Sequence, residues 1–299
     1  MIDSATSLTS AWAPAKVNLY LHVGKPNANG RHPLDSLVMF ADARCADRII
    51  VRPQKGLSLT VEGSLSKALK GEKQNLVLKA AALLREAAGR TDLGAAISLL
   101  KELPTAAGIG GGSADAAATL QALNHYWDIG FGDQALIGLA GELGADVPAC
   151  LMGEPVVMRG EGEHLSKAHM HDIPAILVNP GVKLSTADVY KKFDMHGLGG
   201  NFVERDPPVG ETDVATLARS LKRYGNDLEA PAFAINSVVK EVIQILEAEE
   251  GALLSRMSGS GSTCFALFET FEAAQQAAVS ISSKKKKWWV KPTMLTGSR

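Results

Sequence analysis

The sequence predicts a mixed fold of two domains, each using strands and helices. Three observations predict it. The 299 residues exceed what a single hydrophobic core usually organises. Segments that alternate like strands and segments with helical periodicity succeed one another along the chain, without an internal repeat. Near the middle, a glycine-rich loop carries the chain out of a strand-like segment into a helix-like one.

Composition narrows the class of protein. Hydrophobic residues at 46% and charged residues at 21% describe an ordinary soluble globular chain. A formal net charge of −1 gives no global field to recruit nucleic acid. Cys45, Cys150 and Cys264 lie far apart with no C-x-x-C spacing. Neither a metal site nor a disulfide is therefore expected, each cysteine serves as a small buried hydrophobe, and a reducing cytoplasm suits the chain. No stretch reaches the about 18 apolar residues of a membrane span. Residues 1–10 lack the basic and apolar parts of a signal peptide and are expected to form a short disordered lead.

The elements follow in order. Residues 15–23 (AKVNLYLHV) alternate as a strand, with Val17, Leu19 and Leu21 on one face and Lys16, Asn18, Tyr20 and His22 on the other. A turn-rich loop over 24–33 ends at Arg31 and His32, and strands follow over 36–40, 48–52 and 57–61. Residues 75–88 make an amphipathic helix closed by Gly89, and 96–103 a strand that enters the glycine loop. A helix runs through Leu120 and Leu123, another spans 134–143, and Gly144 ends it. Pro148 then biases Val147 toward extended backbone and stiffens a turn. Residues 156–163 give a strand and tight turn at the close of a first domain, 1–165, with the second over 166–299.

In the second domain, 175–179 is a buried strand, and 185–193 a helix capped by Ser185 or Thr186. The glycines and prolines of 194–213 predict a mobile loop. A long helix over 233–249 has Ile235, Val238, Val239, Val242, Ile243 and Leu246 on one face. Strands over 253–257 and 264–268 flank a second small-residue loop, 258–263, followed by a helix over 272–282 and a strand over 288–295. The lysine run 284–287 beside Trp288 and Trp289 is expected to be a solvated turn, not a nucleic-acid site.

The stretch PTAAGIGGGSADAA, starting at Pro104, holds the chemistry. Its four glycines in five positions, Gly108 and Gly110 to Gly112, free the backbone to fold tightly with amide N–H groups inward. Ser113 is expected to cap the following helix and Asp115 to sit in its first turn. Such a loop at a helix N-terminus is a phosphate cradle. It is neither of two common versions: no G-x-x-x-x-G-K-[ST] occurs, and Ser113 stands where the dinucleotide fingerprint needs glycine. No Lys or Arg lies between Pro104 and Asp146, so countercharge must come from elsewhere. Lys16 is a candidate, or else a solvated strand edge. Asp146 is either a turn aspartate bonding its own backbone or a base beside the phosphate loop. His32 is either an exposed loop residue or a substrate contact. On the residues alone these alternatives stay open.

Three separated segments, AKVNLYLHV, PTAAGIGGGSADAAATLQALN and MSGSGSTCFALF, together resemble the GHMP kinase superfamily. Pro14 to Leu19, Arg31-His32, Gly144-Ala-Asp-Val-Pro148 and Asn226-Asp227-Leu228-Glu229 are similar to the branch that phosphorylates a cytidine diphosphate-linked methylerythritol. The resemblance implies a two-domain α+β fold with the active site in the interdomain cleft, faced by the 258–263 loop. It implies ATP-dependent phosphorylation of a sugar-alcohol 2-hydroxyl, with Asp146 as base, Lys16 as its partner, and Mg2+ bridging the phosphates. The nucleotide loop would be Pro104, Thr105, Ala106, Ala107, Gly108, Ile109, Gly110, Gly111, Gly112, Ser113 and Ala114. Asn18 and His32 match positions on the substrate side. Arg31 stands where the family often has a tyrosine stacked on cytosine, and Tyr190 is the other candidate for stacking. The partner implied is a small molecule, with neither nucleic acid nor membrane, and the chain a monomer or weak homodimer. The G-A-D-V-P segment and the Arg31-His32 loop speak against mevalonate and homoserine kinases, and Lys16 together with Asp146 against a non-catalytic nucleotide-binding module.

Overall fold

Every residue of the strand Lys16–Val23 is buried, its lysine, asparagine and histidine included. The structure, a computed structural model, describes residues 9–69, 75–211 and 213–298. In chain order the described strands are β1 (Thr9–Pro14), β2 (Lys16–Val23), β3 (Leu34–Ala41), β4 (Ala46–Arg52), β5 (Leu57–Glu62) and β6 (Ala95–Leu100). They continue with β7 (Val156–Arg159), β8 (His164–Lys167), β9 (Ile173–Asn179), β10 (Leu254–Met257), β11 (Cys264–Leu267) and β12 (Trp289–Thr296). The helices are α1 (Leu76–Ala87), α2 (Gly111–Tyr126), α3 (Asp133–Leu143), α4 (Val147–Met152) and α5 (Thr186–Met195). After them come α6 (Val214–Leu221), α7 (Glu229–Ile235), α8 (Val238–Glu247) and α9 (Phe271–Lys284).

The chain forms two compact units, each discontinuous in sequence, where the sequence reading draws one boundary at 165/166. The first takes in the described residues up to Ala15, Ala46–Thr105 and Gly110–Met152. Its four-stranded sheet has the order β1-β4-β6-β5, antiparallel except for the β5–β6 pair. Helix α2 packs on β1, β4 and α1. Five of its buried residues are alanine (Ala114, Ala116, Ala117, Ala118, Ala122), beside Leu120 and Leu123, and side chains this short let the helix lie close to the sheet.

The second unit holds Lys16–Cys45, Ala106–Ile109 and the chain from Gly153 onward. Its sheet runs β10-β11-β9-β12-β3-β7-β8, and β2 pairs with β3. The apolar faces of α5, α7, α8 and α9 pack against β9 and β11 in one core containing Ile176, Val178, Phe193, Val239, Leu246, Phe268 and Ile281. None of the described helices is long and apolar enough to cross a membrane. The three cysteines are buried and none is in a disulfide. Burial pushes the Cys45 thiol up to about 12 and Cys264 well above its ordinary value.

Several expectations need correction. Thr9 and Ser10 belong to β1, not to a disordered lead, and residues 1–8 of that lead lie outside the described residues. Gly110, with φ +62°, occupies the N-cap of α2 without a side-chain bond, so Ser113 lies inside the helix and Asp115 beyond its first turn. Val147 and Pro148 are helical, in the first turn of α4, where a proline lacks only an N–H that would have no partner anyway. The helix expected over 233–249 is two helices: Asn236 is extended and its side chain accepts from the Val238 N–H at 3.1 Å, which stops α7 and starts α8. Lys16 is no solvated edge, being 5% exposed. The 194–213 segment begins in α5 and is pinned at Arg205, whose N–H donates to Asp35 at 2.9 Å and whose carbonyl accepts from Arg159 at 2.8 Å. Thr212 lies outside the described residues.

One polar cluster sits inside the first unit, beneath the start of α2. The Lys101 ammonium donates to Asp47 at 2.5 Å and Asp115 at 2.8 Å, all three groups being buried. Asp47 also accepts from the Glu102 and Leu103 N–H groups, at 2.6 and 2.8 Å. Two carboxylates thus share one cation. Burial pushes the Asp115 carboxyl up to about 7, against the pull of Lys101, and Asp47 adds to the push. The Oδ1 oxygen of Asp115 has no hydrogen-bond partner among the described residues.

Two outcomes are expected. The folded chain holds the Asp115 proton up to about pH 7, whereas the unfolded chain releases it near 3.8, so stability falls as pH rises between these values. Thermal unfolding of Asp115→Asn should lose that slope; an unchanged slope would assign it elsewhere. Lys101→Met leaves two carboxylates buried without their cation and should cost about 3–5 kcal/mol in a denaturant titration.

Candidate functional site

The glycine loop is shaped by what holds its carbonyls. The Ala107 carbonyl accepts from the Thr263 N–H at 3.0 Å, the Gly108 carbonyl from the Ser258 hydroxyl at 3.0 Å, and the Ile109 carbonyl from the Lys16 N–H at 2.9 Å. In a trans peptide the N–H points opposite to the carbonyl. The N–H groups of Gly108, Ile109 and Gly110, each in one peptide with the carbonyl before it, are therefore turned away from the groups that hold those carbonyls, and no described residue accepts from them. Helix α2 follows at once. Its first N–H groups, on Gly111, Gly112 and Ser113, have no intrahelical acceptor, and its N-cap glycine supplies no side chain. Open backbone donors at the positive end of a helix are suited to an anion. Pro104 and Thr105 lead into it, and Ala106 takes φ +50°, uncommon for a residue with a Cβ.

The second small-residue loop is a clamp for the first. Gly108 has φ +73°, and a Cβ on it would lie 2.3 Å from the Ser258 carbonyl oxygen and 2.6 Å from the Gly261 nitrogen. Reciprocally, a Cβ on Gly259 would lie 2.7 Å from the Gly108 oxygen. Only two glycines permit this approach. Asn226 braces the clamp by donating from Nδ2 to the Met257 and Gly259 carbonyls, each at 2.8 Å, and Glu229 accepts from the Met257 N–H at 2.9 Å. Burial pushes the Glu229 carboxyl up. The Asn226-Asp227-Leu228-Glu229 segment thus has a structural task, and Asp227 continues it by accepting from the Val23 N–H at 2.9 Å.

On β2, Lys16 and Asn18 lie beside this clamp in the same unit. A register shift between Asn18 and Tyr20 bulges the strand against β3. Asn18 Nδ2 donates to the Ser36 hydroxyl at 2.8 Å, its N–H donates to Ser258 at 3.2 Å, and its buried Oδ1 has no described partner. Farther along the same unit, the structure brings His32 and Tyr190 together, with ring centroids 4.9 Å apart, and Phe193 meets the histidine edge-on at 5.8 Å. The Gly24 carbonyl, 2.8 Å from Nδ1, can only accept, so Nδ1 carries a proton, and Nε2 lies 3.5 Å from an Asp194 carboxylate oxygen. Arg31 is not part of this group. Its side chain is 74% exposed and reaches Glu161 at 3.5 Å.

Asp146 belongs to the first unit. It is half-buried and immediately precedes α4, where its carbonyl accepts the Cys150 N–H at 3.1 Å. Gly144, with φ +153°, ends α3 and lets the chain turn back within two residues, fixing the place of Asp146 between two helices.

Sequence reading missed some of the support. Asp35, fully buried, accepts from the Tyr20 hydroxyl at 3.3 Å, Arg159 Nε at 3.3 Å and the Arg205 N–H. Burial, then Asp35, pushes the Tyr20 phenol up. The buried Arg256 guanidinium donates to the Leu19, Leu221 and Tyr224 carbonyls at 2.6, 3.0 and 2.9 Å. Charged residues inside apolar strands (LDSLVMF, LSRM) were the available signal. The second unit also has a cavity of about 650 Å³ walled by His22, Phe193, Phe202, Arg205, Asp227 and Phe233.

Comparison with known proteins agrees with this arrangement. Residues 75–154 match the GHMP kinases N terminal domain and residues 208–287 the GHMP kinases C terminal model. The first range contains the glycine loop and Asp146, the second the Asn226 brace and the clamp. The chain is 46% identical to 4-diphosphocytidyl-2-C-methyl-D-erythritol kinase of Hyphomonas neptunium, over 98% of this chain and 99% of that protein. To the protein of that name in Rhodospirillum rubrum it is 44% identical, over 99% and 95%. A crystal structure of 4-(cytidine 5'-diphospho)-2C-methyl-D-erythritol kinase superposes with a TM-score of 0.75 at 33% identity, covering 97% of this chain and all of that one. Homoserine kinase from Cytophaga hutchinsonii, at TM-score 0.72 and 20% identity, shares the fold. The two-domain α+β chain thus belongs to the GHMP kinases, within the 4-diphosphocytidyl-2-C-methyl-D-erythritol kinase family.

Proposed function

We propose that this kinase transfers the γ-phosphoryl group of ATP to the 2-hydroxyl of 4-diphosphocytidyl-2-C-methyl-D-erythritol, yielding the 2-phosphate and ADP. The observation that carries the reading is the identity of 46% with a relative of that name over nearly the full length of both chains. The row of six N–H donors from Gly108 to Ser113 supports the phosphate half of it.

In this reading the loop from Pro104 to Ala114 holds the nucleotide phosphates through backbone N–H groups. Asp146 accepts the hydroxyl proton as the substrate oxygen bonds to the γ-phosphorus, and the bridging oxygen leaves with its electron pair on ADP. The rigid turn between Gly144 and α4 favours that role, because a base works only if held in place. Lys16 supplies positive charge to the transferring group. Mg2+ would be held together with the nucleotide, beside the Ser113 hydroxyl in the first turn of α2. When bound, that ion neutralises phosphate charge.

The acceptor is recognised by complementary groups. Asn18 spends its Nδ2 on Ser36, so Oδ1 is the atom left for a substrate hydroxyl. His32 and Tyr190 lie together on the substrate side, and Tyr190 offers a ring for stacking on cytosine. Arg31 serves at the rim, where its exposed guanidinium can follow the diphosphate or stack on the base.

Substrate-dependent ADP release, followed with Mg2+ and ATP, tests the assignment. Asp146→Asn should lower kcat by about a hundredfold or more with little change in KM. Turnover with mevalonate or homoserine in place of the cytidine-linked substrate would keep the fold and overturn the substrate. Tyr190→Ala should raise KM for the cytidine-linked substrate by about tenfold, the size of a lost stacking contact, and leave KM for ATP unchanged.

A further inference from the structure

Ser258 is fully buried, carries no charge and lies far in sequence from the glycine loop, yet its hydroxyl joins two parts of the site. It accepts from the Asn18 N–H at 3.2 Å and donates to the Gly108 carbonyl at 3.0 Å. The Lys16 carbonyl, at 3.5 Å, is the poorer acceptor, so the single hydroxyl proton goes to Gly108.

That choice has a geometric result. With the Gly108 carbonyl drawn to Ser258, planarity fixes the Ile109 N–H on the opposite side of the same peptide. Neighbouring carbonyls are held by main-chain donors, Thr263 N–H and Lys16 N–H, which no substitution of a side chain removes. Gly108 differs. It is a glycine at φ +73°, the most easily rotated point of the loop, and a side chain alone holds its carbonyl. The main chain of Ser258 cannot replace the hydroxyl, because its N–H already donates to the Thr263 carbonyl and its carbonyl, which accepts from the Gly261 N–H, has no proton to give.

We propose that Ser258 is a positioning residue for nucleotide phosphate: its hydroxyl locks the Gly108–Ile109 peptide so that the Ile109 N–H is aimed at the anion. It touches neither nucleotide nor acceptor. The proposal rests on the reading of the glycine loop as the ATP site, and its test is a binding measurement that does not need the acceptor.

Calorimetric titration of Ser258→Ala with ATP should show affinity weakened by about tenfold, the usual size of one charge-assisted hydrogen bond. Adenosine, which lacks phosphate, should bind both proteins equally. Ser258→Thr keeps the hydroxyl and should restore ATP affinity. Equal ATP affinity in Ser258→Ala and the parent chain would overturn the proposal. So would parallel losses for ATP and adenosine, which a merely structural role predicts, or failure of the threonine variant to recover while its unfolding temperature matches the parent. Absence of phosphoryl transfer to the cytidine-linked acceptor would count against the proposed function and leave these binding results intact.

Discussion

Gly108 and Gly259 meet backbone to backbone, closer than any side chain would allow. Much of the second unit is arranged to keep that contact. Asn226 fastens the carbonyls on either side of Ser258, Glu229 fastens the Met257 N–H, and Asp227 ties the same segment to β2 at Val23. Each of these side chains is fixed by a hydrogen bond to the main chain, so the loop is held by groups with little freedom to wander. A loop that is proposed to catch phosphate on N–H groups needs the backbone itself fixed, since there is no lysine or arginine within it to compensate for a misdirected dipole.

The first unit solves a different problem. A helix whose early turns are nearly all glycine and alanine has little intrinsic apolar area with which to anchor itself. Asp115 and Lys101 supply the anchor instead, joining α2 to β4 through Asp47. Lys101 Nζ lies 3.3 Å from where a Cβ on Gly111 would be, so the glycine is needed for close approach to the cation as well as for the open donors above it. Small residues at the helix start and a buried ion cluster beneath are two sides of one design.

Much of this was legible in the sequence. The glycine spacing located the loop that opens α2, and periodicity located α1, α3, α5 and α9 to within a few residues, because their apolar stripes and caps are local. Three separated motifs gave the family. What could not be read was long-range. Asn18 and His32 looked like one polar face of a strand and a loop histidine until Ser36, Gly24 and Tyr190 were seen to surround them. The break at Asn236 was hidden because the apolar pattern of Ile235 and Val238 continues across it, although only one side-chain hydrogen bond separates the helices. Strand β1 was missed because Ala, Ser and Pro at an edge carry no alternation.

In the second unit's sheet, β12 lies between β9 and β3. Its Thr296 hydroxyl donates to the Phe40 carbonyl 256 residues earlier. During synthesis, therefore, β9 keeps an open edge until the strand made last of the twelve described pairs along it, and β3, already paired with β2 and over Ser36–Val38 with β7, waits for the same strand at Phe40 and Ala41. Closing so long a loop is entropically slow, and an exposed apolar edge invites strands from other chains meanwhile. The nascent chain has most to gain from a chaperone over this interval, and a ribosome stalled before β12 would release a polypeptide carrying Lys16 and Asn18 on a sheet that is not yet whole.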